Sequence, residues 1–375
     1  MRILAVDIGT GTQDILLFDT SREVENCLKM VMPSPTVLLA EAVRAATRRG
    51  DDVVLTGMLM GGGPCAWAVR DHLQAGHRVY ATAAAARTFD DDLSAVQAMG
   101  VQLVSDDEAA TARGQVCRLS LRDFDYHAIA HAFAHFGVDL DRDLDALAVA
   151  VFDHGAAPPG VSDRLYRFDY LAGRVRSANR LSALAYRTGD VPAFLTRMRA
   201  VVATIPRDDI PAVVMDTAPA AVLGALEDPA LQRRRPVIVV NVGNFHCLAF
   251  RLGHDGIEGL FEHHTGEINL TQLEVFLDRL ADGTLTHAEI FDTQGHGAIV
   301  FQATPLSPQD RRLVVTGPRR NMLRQSRHDV YFATPHGDMM LAGCYGLIRA
   351  YADLFPDHAG IIDRAMSGGD GKALW

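Results

Sequence analysis

The segment Ile3-Leu4-Ala5-Val6-Asp7-Ile8-Gly9-Thr10-Gly11-Thr12-Gln13-Asp14-Ile15-Leu16-Leu17-Phe18-Asp19 constrains this chain more than any other. It reads as an apolar strand, a turn of glycine and threonine, and a second apolar strand. Backbone N–H groups and hydroxyls in such a turn can surround a phosphate, and Asp7 at the strand end can hold a hydrated Mg2+. The same residues also suit a plain tight turn of a meander. A P-loop is excluded, because no Gly-Lys-Ser/Thr element follows and the second segment reads as a strand. A dinucleotide-binding fingerprint fails on the same ground.

At 375 residues, 48% of them hydrophobic, the chain can bury two cores. Its net charge of -10 is spread along the sequence without a long basic block. That argues against a nucleic-acid groove and against a polybasic membrane anchor. No apolar run reaches membrane-spanning length, and with a strand directly at the start no signal peptide is expected. Cys27, Cys65, Cys117, Cys247 and Cys344 are scattered, with no Cys-x-x-Cys grouping. Buried free thiols of a cytoplasmic protein are the expectation, not ligands of zinc or an iron–sulfur cluster.

Strands are predicted near 2–7, 12–19 and 26–32, then a helix at 35–49 introduced by Pro35, a strand at 53–57, a helix at 64–74 and a strand at 79–82. Between 88 and 205, helical stretches at 93–99, 125–136 and 191–204 alternate with acidic or Pro/Gly-rich connections. Within them, 146–152 is a buried strand running into Asp153-His154-Gly155 and a Pro/Gly loop. The alternation predicts layered α/β architecture. Open α/β sheets place chemistry at strand ends, so Asp153 and His154 are acid–base candidates.

After Arg233-Arg234-Arg235-Pro236 the opening plan returns. Val237-Ile238-Val239-Val240-Asn241-Val242-Gly243-Asn244-Phe245-His246-Cys247-Leu248-Ala249-Phe250 is again an apolar strand, a polar residue, a glycine turn and an apolar strand. Two facing hairpins can grip a polyphosphate from both sides, which puts the site in a cleft between domains.

At this point the chain resembles the actin-like ATPase superfamily of sugar kinases, acetate kinase, heat-shock chaperone ATPase domains, actin and dehydratase activators. Asp7-Ile8-Gly9-Thr10-Gly11-Thr12 is similar to its first phosphate motif and Asn241-Val242-Gly243-Asn244 to its second. The stretch from Met215 to Leu226 resembles the first connecting helix, whose small residues let helices cross closely. Leu313–Asn321, with Gly317-Pro318 at its turn, resembles the adenosine motif, and the glycine-rich Pro335–Ile348 the second connecting helix.

The resemblance implies two ribonuclease-H-like domains with an interdomain nucleotide cleft. The first would span 1–230 with insertions and the second 231–337, with 338–375 a helical segment returning to the first. It implies ATP and Mg2+, with Asp7 organising the metal. Gly9, Thr10, Gly11, Thr12 and Gln13 would hold phosphates, Asn241, Gly243 and Asn244 would close from the other side, and Gly317 and Pro318 would lie on the adenosine. Two residues depart from the pattern: Asn241 stands where an acid is usual, and Pro318 replaces the second glycine of a pair. More narrowly, the chain is similar to a bacterial and archaeal family sometimes labelled as a pyruvate formate-lyase activating enzyme. That label needs three clustered cysteines for a [4Fe–4S] centre, an arrangement the five scattered cysteines do not offer locally.

Other residues are candidates of a second rank. Glu262-His263-His264-Thr265-Gly266-Glu267 is expected to follow a strand of the second domain, where His263, His264 and Glu267 would meet substrate or metal, or form only a capping loop. Gly61-Gly62-Gly63-Pro64 offers N–H groups at a helix start, as an anion loop or a simple turn. His127, His131 and His135 recur at helical spacing, but the outer two would be about 12 Å apart and cannot share one ion. Arg319 and Arg320 would touch nucleotide or solvate a helix start.

The resulting expectation is phosphoryl transfer from Mg-ATP to a small acceptor or to water. The rival is a nucleotide-controlled switch acting on a partner protein. Neither nucleic acid nor membrane is expected as a partner, and a homodimer is left open.

Overall fold

The computed structural model describes residues 1–231 and 235–368; Arg233 and Arg234 of the basic cluster, and residues 369–375 of the expected C-terminal segment, lie outside the described residues. Three sheets carry the architecture. The first has the order Leu28–Pro33, Thr12–Asp19, Arg2–Ile8, Ala146–Val151, Ala212–Asp216, Ala185–Arg187. Its first three members form an antiparallel meander, and Ala146–Val151 and Ala212–Asp216 then add in parallel. The second sheet is ordered Gly297–Val300, Ile257–His264, His246–Leu252, Val237–Val242, Leu313–Thr316, Val330–Phe332, again a meander extended by parallel strands. In each, the hairpin-forming first strand is central. Two such sheets make two ribonuclease-H-like lobes, the expected α/β fold.

Alternation of side chains explains why these runs are apolar throughout. Ile3 and Ala5 enter one core with Leu16 and Phe18, while Leu4 and Val6 enter another, with Ile15 and Leu17, on the opposite face. A strand covered on both faces shows no polar period, because successive residues point to opposite sides.

A third sheet, of four parallel strands, is inserted between the third and fourth strands of the first sheet. Its order is Gln102–Leu103, Val79–Ala81, Asp52–Gly57, Val116–Leu121, and it packs helices Pro35–Arg49 and Pro64–Gln74 around its own core. The order reverses beside Asp52–Gly57, so the loop after that strand, carrying Gly61–Gly63, sits at a topological switch point.

Helix Asp163–Ala178 was not anticipated. Its Phe168, Leu171, Ala172 and Val175 pack in one core with Val237, Val239, Leu248 and Phe250 of the second sheet. Helices Thr217–Ala225 and Ala342–Leu354 cross so closely that a Cβ on Gly224 would lie 1.7 Å from the Ala342 carbonyl oxygen, and one on Gly346 1.8 Å from that of Ala220. The small residues there are a steric requirement. The second helix starts only at Ala342, after a short turn at Pro335–Gly337, later than the sequence suggested. No helix among the described residues is long and apolar enough to cross a membrane.

Candidate functional site

Each lobe presents its hairpin turn to the other. Gly9 N–H donates to the Thr12 carbonyl at 2.9 Å, and Gly243 N–H to the His246 carbonyl at 2.9 Å, so one closing bond recurs at the same offset. Asp7 and Asn241 stand two residues before these glycines and are equivalent. The turns touch: a Cβ on Gly11 would lie 2.8 Å from Asn244 Nδ2. A cleft opens beside them, lined by Asp7, Thr10 and Thr12 from one lobe and Asn241, Gly243 and Asn244 from the other. Gly317 and Pro318 line it too, with Gly317 packed so tightly on Asn241 that a Cβ would come 2.5 Å from Oδ1.

Two acids share the floor. Asp7 is directly opposite Asp14 in the register of the first two strands, so both side chains project from the same face. Both line the cleft and both are buried. Thr217 Oγ1 donates to Asp7 Oδ1, whereas Asp14 Oδ1 has no partner. Burial pushes the Asp7 carboxyl up to about 7, opposed by the Thr217 hydroxyl and reinforced by Asp216. Burial and then the Asp7 charge push Asp14 up to about 8. Helix Ala342–Leu354 begins against Asp7, and a Cβ on Gly343 would lie 1.8 Å from Oδ2.

The opposite charge in the cleft is Arg197, which sequence reasoning missed. Its guanidinium lines the cavity while Nε and Nη2 donate to Asp123 at 2.7 and 2.9 Å and Nη1 to the Phe152 carbonyl at 2.6 Å. Asp123 also accepts the Gly61 N–H at 3.1 Å, tying the inserted sheet's glycine loop to this corner. Gly63 lies over Thr10 and Phe245, and a Cβ there would be 2.9 Å from the Phe245 ring.

Behind the cleft Arg167, fully buried, holds the lobes together. Its Nε reaches both Glu262 carboxylate oxygens at 3.0 Å, and Nη1 donates to Asp216 at 2.7 Å and to the Asp153 carbonyl at 2.8 Å. Glu262 belongs to the second sheet and Asp216 to the first. Burial lifts the Glu262 carboxyl to about 7 despite Arg167.

Several sequence-derived candidates point elsewhere. The Gln13 amide donates to the Pro33 carbonyl at the sheet edge. Asp153 accepts the Gly155 and Met198 backbone N–H groups, each at 2.8 Å, and lines a second, smaller cavity with His154. Its carboxylate is thus committed to holding the loop. Glu262 and His263 are the end of strand Ile257–His264, not a loop after it. His263 turns from the cleft, bonding the His264 carbonyl at 3.0 Å and Thr293 at 3.3 Å, and Glu267 is exposed. His127, His131 and His135 form an exposed stripe. Arg320 donates to the Ala333 carbonyl at 2.9 Å, and Arg319 is exposed.

The five cysteines are distributed over separate cores, Cys27 and Cys344 in one, Cys65 and Cys117 in another and Cys247 in a third. Burial raises the Cys27 and Cys65 thiols to about 11 and Cys247 to about 12. These thiols cannot converge on one iron–sulfur cluster in this fold.

Residues 60–322 match the model of a family described as "Putative pyruvate format-lyase activating enzyme (DUF1786)". No protein of curated function matches the sequence. Among solved structures, the chain is similar to the activator of the 2-hydroxyisocaproyl-CoA dehydratase from Clostridium difficile with bound ADPNP. That match has 8% identity and TM-score 0.33 and covers 98% of this chain and 96% of that one. It is also similar to the inorganic polyphosphate/ATP-glucomannokinase from Arthrobacter sp. strain KM, at 13% identity and TM-score 0.34, over 94% and 99%. A third is the ethanolamine utilization protein EutJ from Carboxydothermus hydrogenoformans, at 11% identity and TM-score 0.30, over 92% and 89%. At these scores the likenesses add nothing to what the sheet topology shows.

Proposed function

This chain belongs to the DUF1786 family, and we propose that it binds Mg-ATP between its two lobes and transfers the terminal phosphoryl group, slowly, to a small acceptor or to water. The observation that carries the reading is the pair of opposed hairpin turns, closed by the same bond and meeting at Gly11 and Asn244. Backbone N–H groups and hydroxyls on both banks suit a polyphosphate.

The donor set fits Mg2+. Asp7 and Asp14 supply two oxygen ligands' worth of charge, and the orphaned Asp14 Oδ1 is a buried acceptor awaiting a cation. Bound there, Mg2+ would neutralise charge on the phosphates. Asp14 compensates for the neutral amide of Asn241. Thr10 and Thr12 would donate to phosphate oxygens, Arg197 would offset charge at the far end of the chain, and Gly317 and Pro318 would lie against the nucleoside. The loop Gly61–Gly63, drawn over Thr10 and Phe245, would exclude water from this corner.

Asn241 supplies no carboxylate to activate water, and that favours a second reading in which nucleotide binding mainly sets the lobe arrangement seen by a partner protein. The radical chemistry implied by the family's description finds no ligand set among the cysteines. Titration calorimetry with Mg-ATP, followed by ADP release across a panel of small acceptors, tests the proposal. Saturable binding with acceptor-dependent ADP release supports it. Absence of nucleotide binding overturns both readings.

A further inference from the structure

Four imidazoles meet where the lobes join, each from a different stretch of chain. His154 follows strand Ala146–Val151 of the first sheet, His246 opens strand His246–Leu252, His264 ends strand Ile257–His264 and His296 precedes strand Gly297–Val300. His246 and His264 are register partners. Ring centroids lie 5.4 Å apart for His154 and His246, 5.5 Å for His154 and His296, and 5.2 Å for His246 and His296. His264 is 4.9 and 4.7 Å from the latter two.

Packing alone does not account for them. His296 is completely buried, yet neither of its ring nitrogens has a hydrogen-bond partner, and His246 Nε2 has none either. Buried polar atoms are almost always paired, so three unpartnered nitrogens in one cluster are free to accept a partner. One nitrogen from each of His154, His246 and His296 lies within 4.8 Å of the other two. Tetrahedral bonds of 2.0–2.1 Å would place such atoms roughly 3.4 Å apart, within reach of small rotations of the rings.

We propose that His154, His246 and His296 form a binding site for a first-row transition-metal dication of the Zn2+ or Co2+ type, spanning the two lobes. The unpartnered ring nitrogens of His246 and His296 leave lone pairs free to bind. Neutral imidazoles with free lone pairs are the ligand form.

Charge nearby is balanced as well as a buried cation allows. Arg167 opposes a dication, but it is paired with Asp216 and Glu262, which offset its charge locally. Arg164, bound to the Gly295 carbonyl at 2.6 Å, is the other cation beside His296. Three nitrogen donors select against Mg2+, which prefers oxygen, so this site and the Asp7–Asp14 pair would sort different metals. His246 also lines the nucleotide cleft, giving the fourth coordination position access from that side. Because His154 belongs to one lobe and His246 and His296 to the other, a bound ion would clasp the cleft from behind.

The test uses tag-free, chelator-stripped, full-length protein without nucleotide, titrated with Co2+ and read by visible d–d absorption and calorimetry. One equivalent per chain, a tetrahedral spectrum, displacement by Zn2+ and indifference to excess Mg2+ are expected. His246→Phe and His296→Phe replace an imidazole by an apolar ring and should weaken Co2+ about 100-fold or more. Thermal melting without metal should stay unchanged or rise. His154→Ala, on the first-lobe side, gives the same reading if either phenylalanine variant fails to fold. No saturable Co2+ band in the parent protein, or equal affinity in all three variants, overturns the proposal. Neither result depends on whether nucleotide binds.

Discussion

Asp7 and Asp14 face each other across the first hairpin as a register pair, so the first strand's acid has a second carboxylate as its nearest counterpart. Like charges at this separation in a buried site cannot both ionise cheaply. Burial therefore favours the protonated form of each unless a cation is nearby.

The first prediction concerns pH. Both carboxyls are raised above their ordinary value, so the stability they allow is full below about pH 4 and is lost as pH rises through about 7 and 8. Metal-free protein should therefore lose stability between pH 5 and 8, as read by urea titration. Asp14→Asn should flatten that decline, and Mg2+ should restore stability at pH 8 in the parent only. An unchanged slope in the variant would remove Asp14 from the account.

Mg-ATP at about 100 times its Kd should stabilise the fold by about 2.7 kcal/mol through mass action. Asp7→Ala should erase most of that gain. Undiminished Mg-ATP affinity by calorimetry would place the metal elsewhere.

Asn241→Asp adds an acid opposite the first pair, at the equivalent position of the second hairpin. Tighter Mg2+ dependence and faster basal hydrolysis are expected, because a second anchor then meets developing charge. Basal ATPase measured across a Mg2+ titration decides; a folded variant with unaltered dependence and rate means that Asn241 stands clear of the phosphates.

Arg197 and Asp123 should be removed together, since removing one leaves a buried partner uncompensated. The double alanine variant is expected to weaken nucleotide binding by about 10- to 100-fold, the range of a charge-assisted hydrogen bond. Parental affinity in a stable double variant would reduce Arg197 to a prop for the Gly61 loop.

Arg167→Met leaves Glu262 and Asp216 buried without their cation, and about 3–5 kcal/mol of stability should be lost. Chemical denaturation measures this; a loss below about 1 kcal/mol would mean that the lobes are joined mainly by apolar packing.

What could be read from the sequence was local. Turn chemistry is written in adjacent residues, so both hairpins and the place of Gly317 and Pro318 on the cleft wall were legible, and the two helices expected at Pro35 and Pro64 start there. Asp14 was within reach too: a turn closed between Gly9 and Thr12 places residue 14 opposite residue 7. Helix Asp163–Ala178 was hidden because its four core residues are spread among arginines, and much of the core they join, from Val237 to Val314, lies far downstream. His246 and His296 carry no local signal, and only the pairing of distant strands brings them to His154. Asp153 misled for the opposite reason. Its position at a strand end was right, but its oxygens are spent on backbone N–H groups that no sequence pattern reveals.

The shared closing bond of the two turns has a further consequence. Gly9 and Gly243 close the two turns by the same bond, yet one bank carries two carboxylates and the other an amide. The scaffold is even-handed and the chemistry is polarised. An anionic guest's counterion would therefore be drawn to one bank alone, the one that carries Asp7 and Asp14.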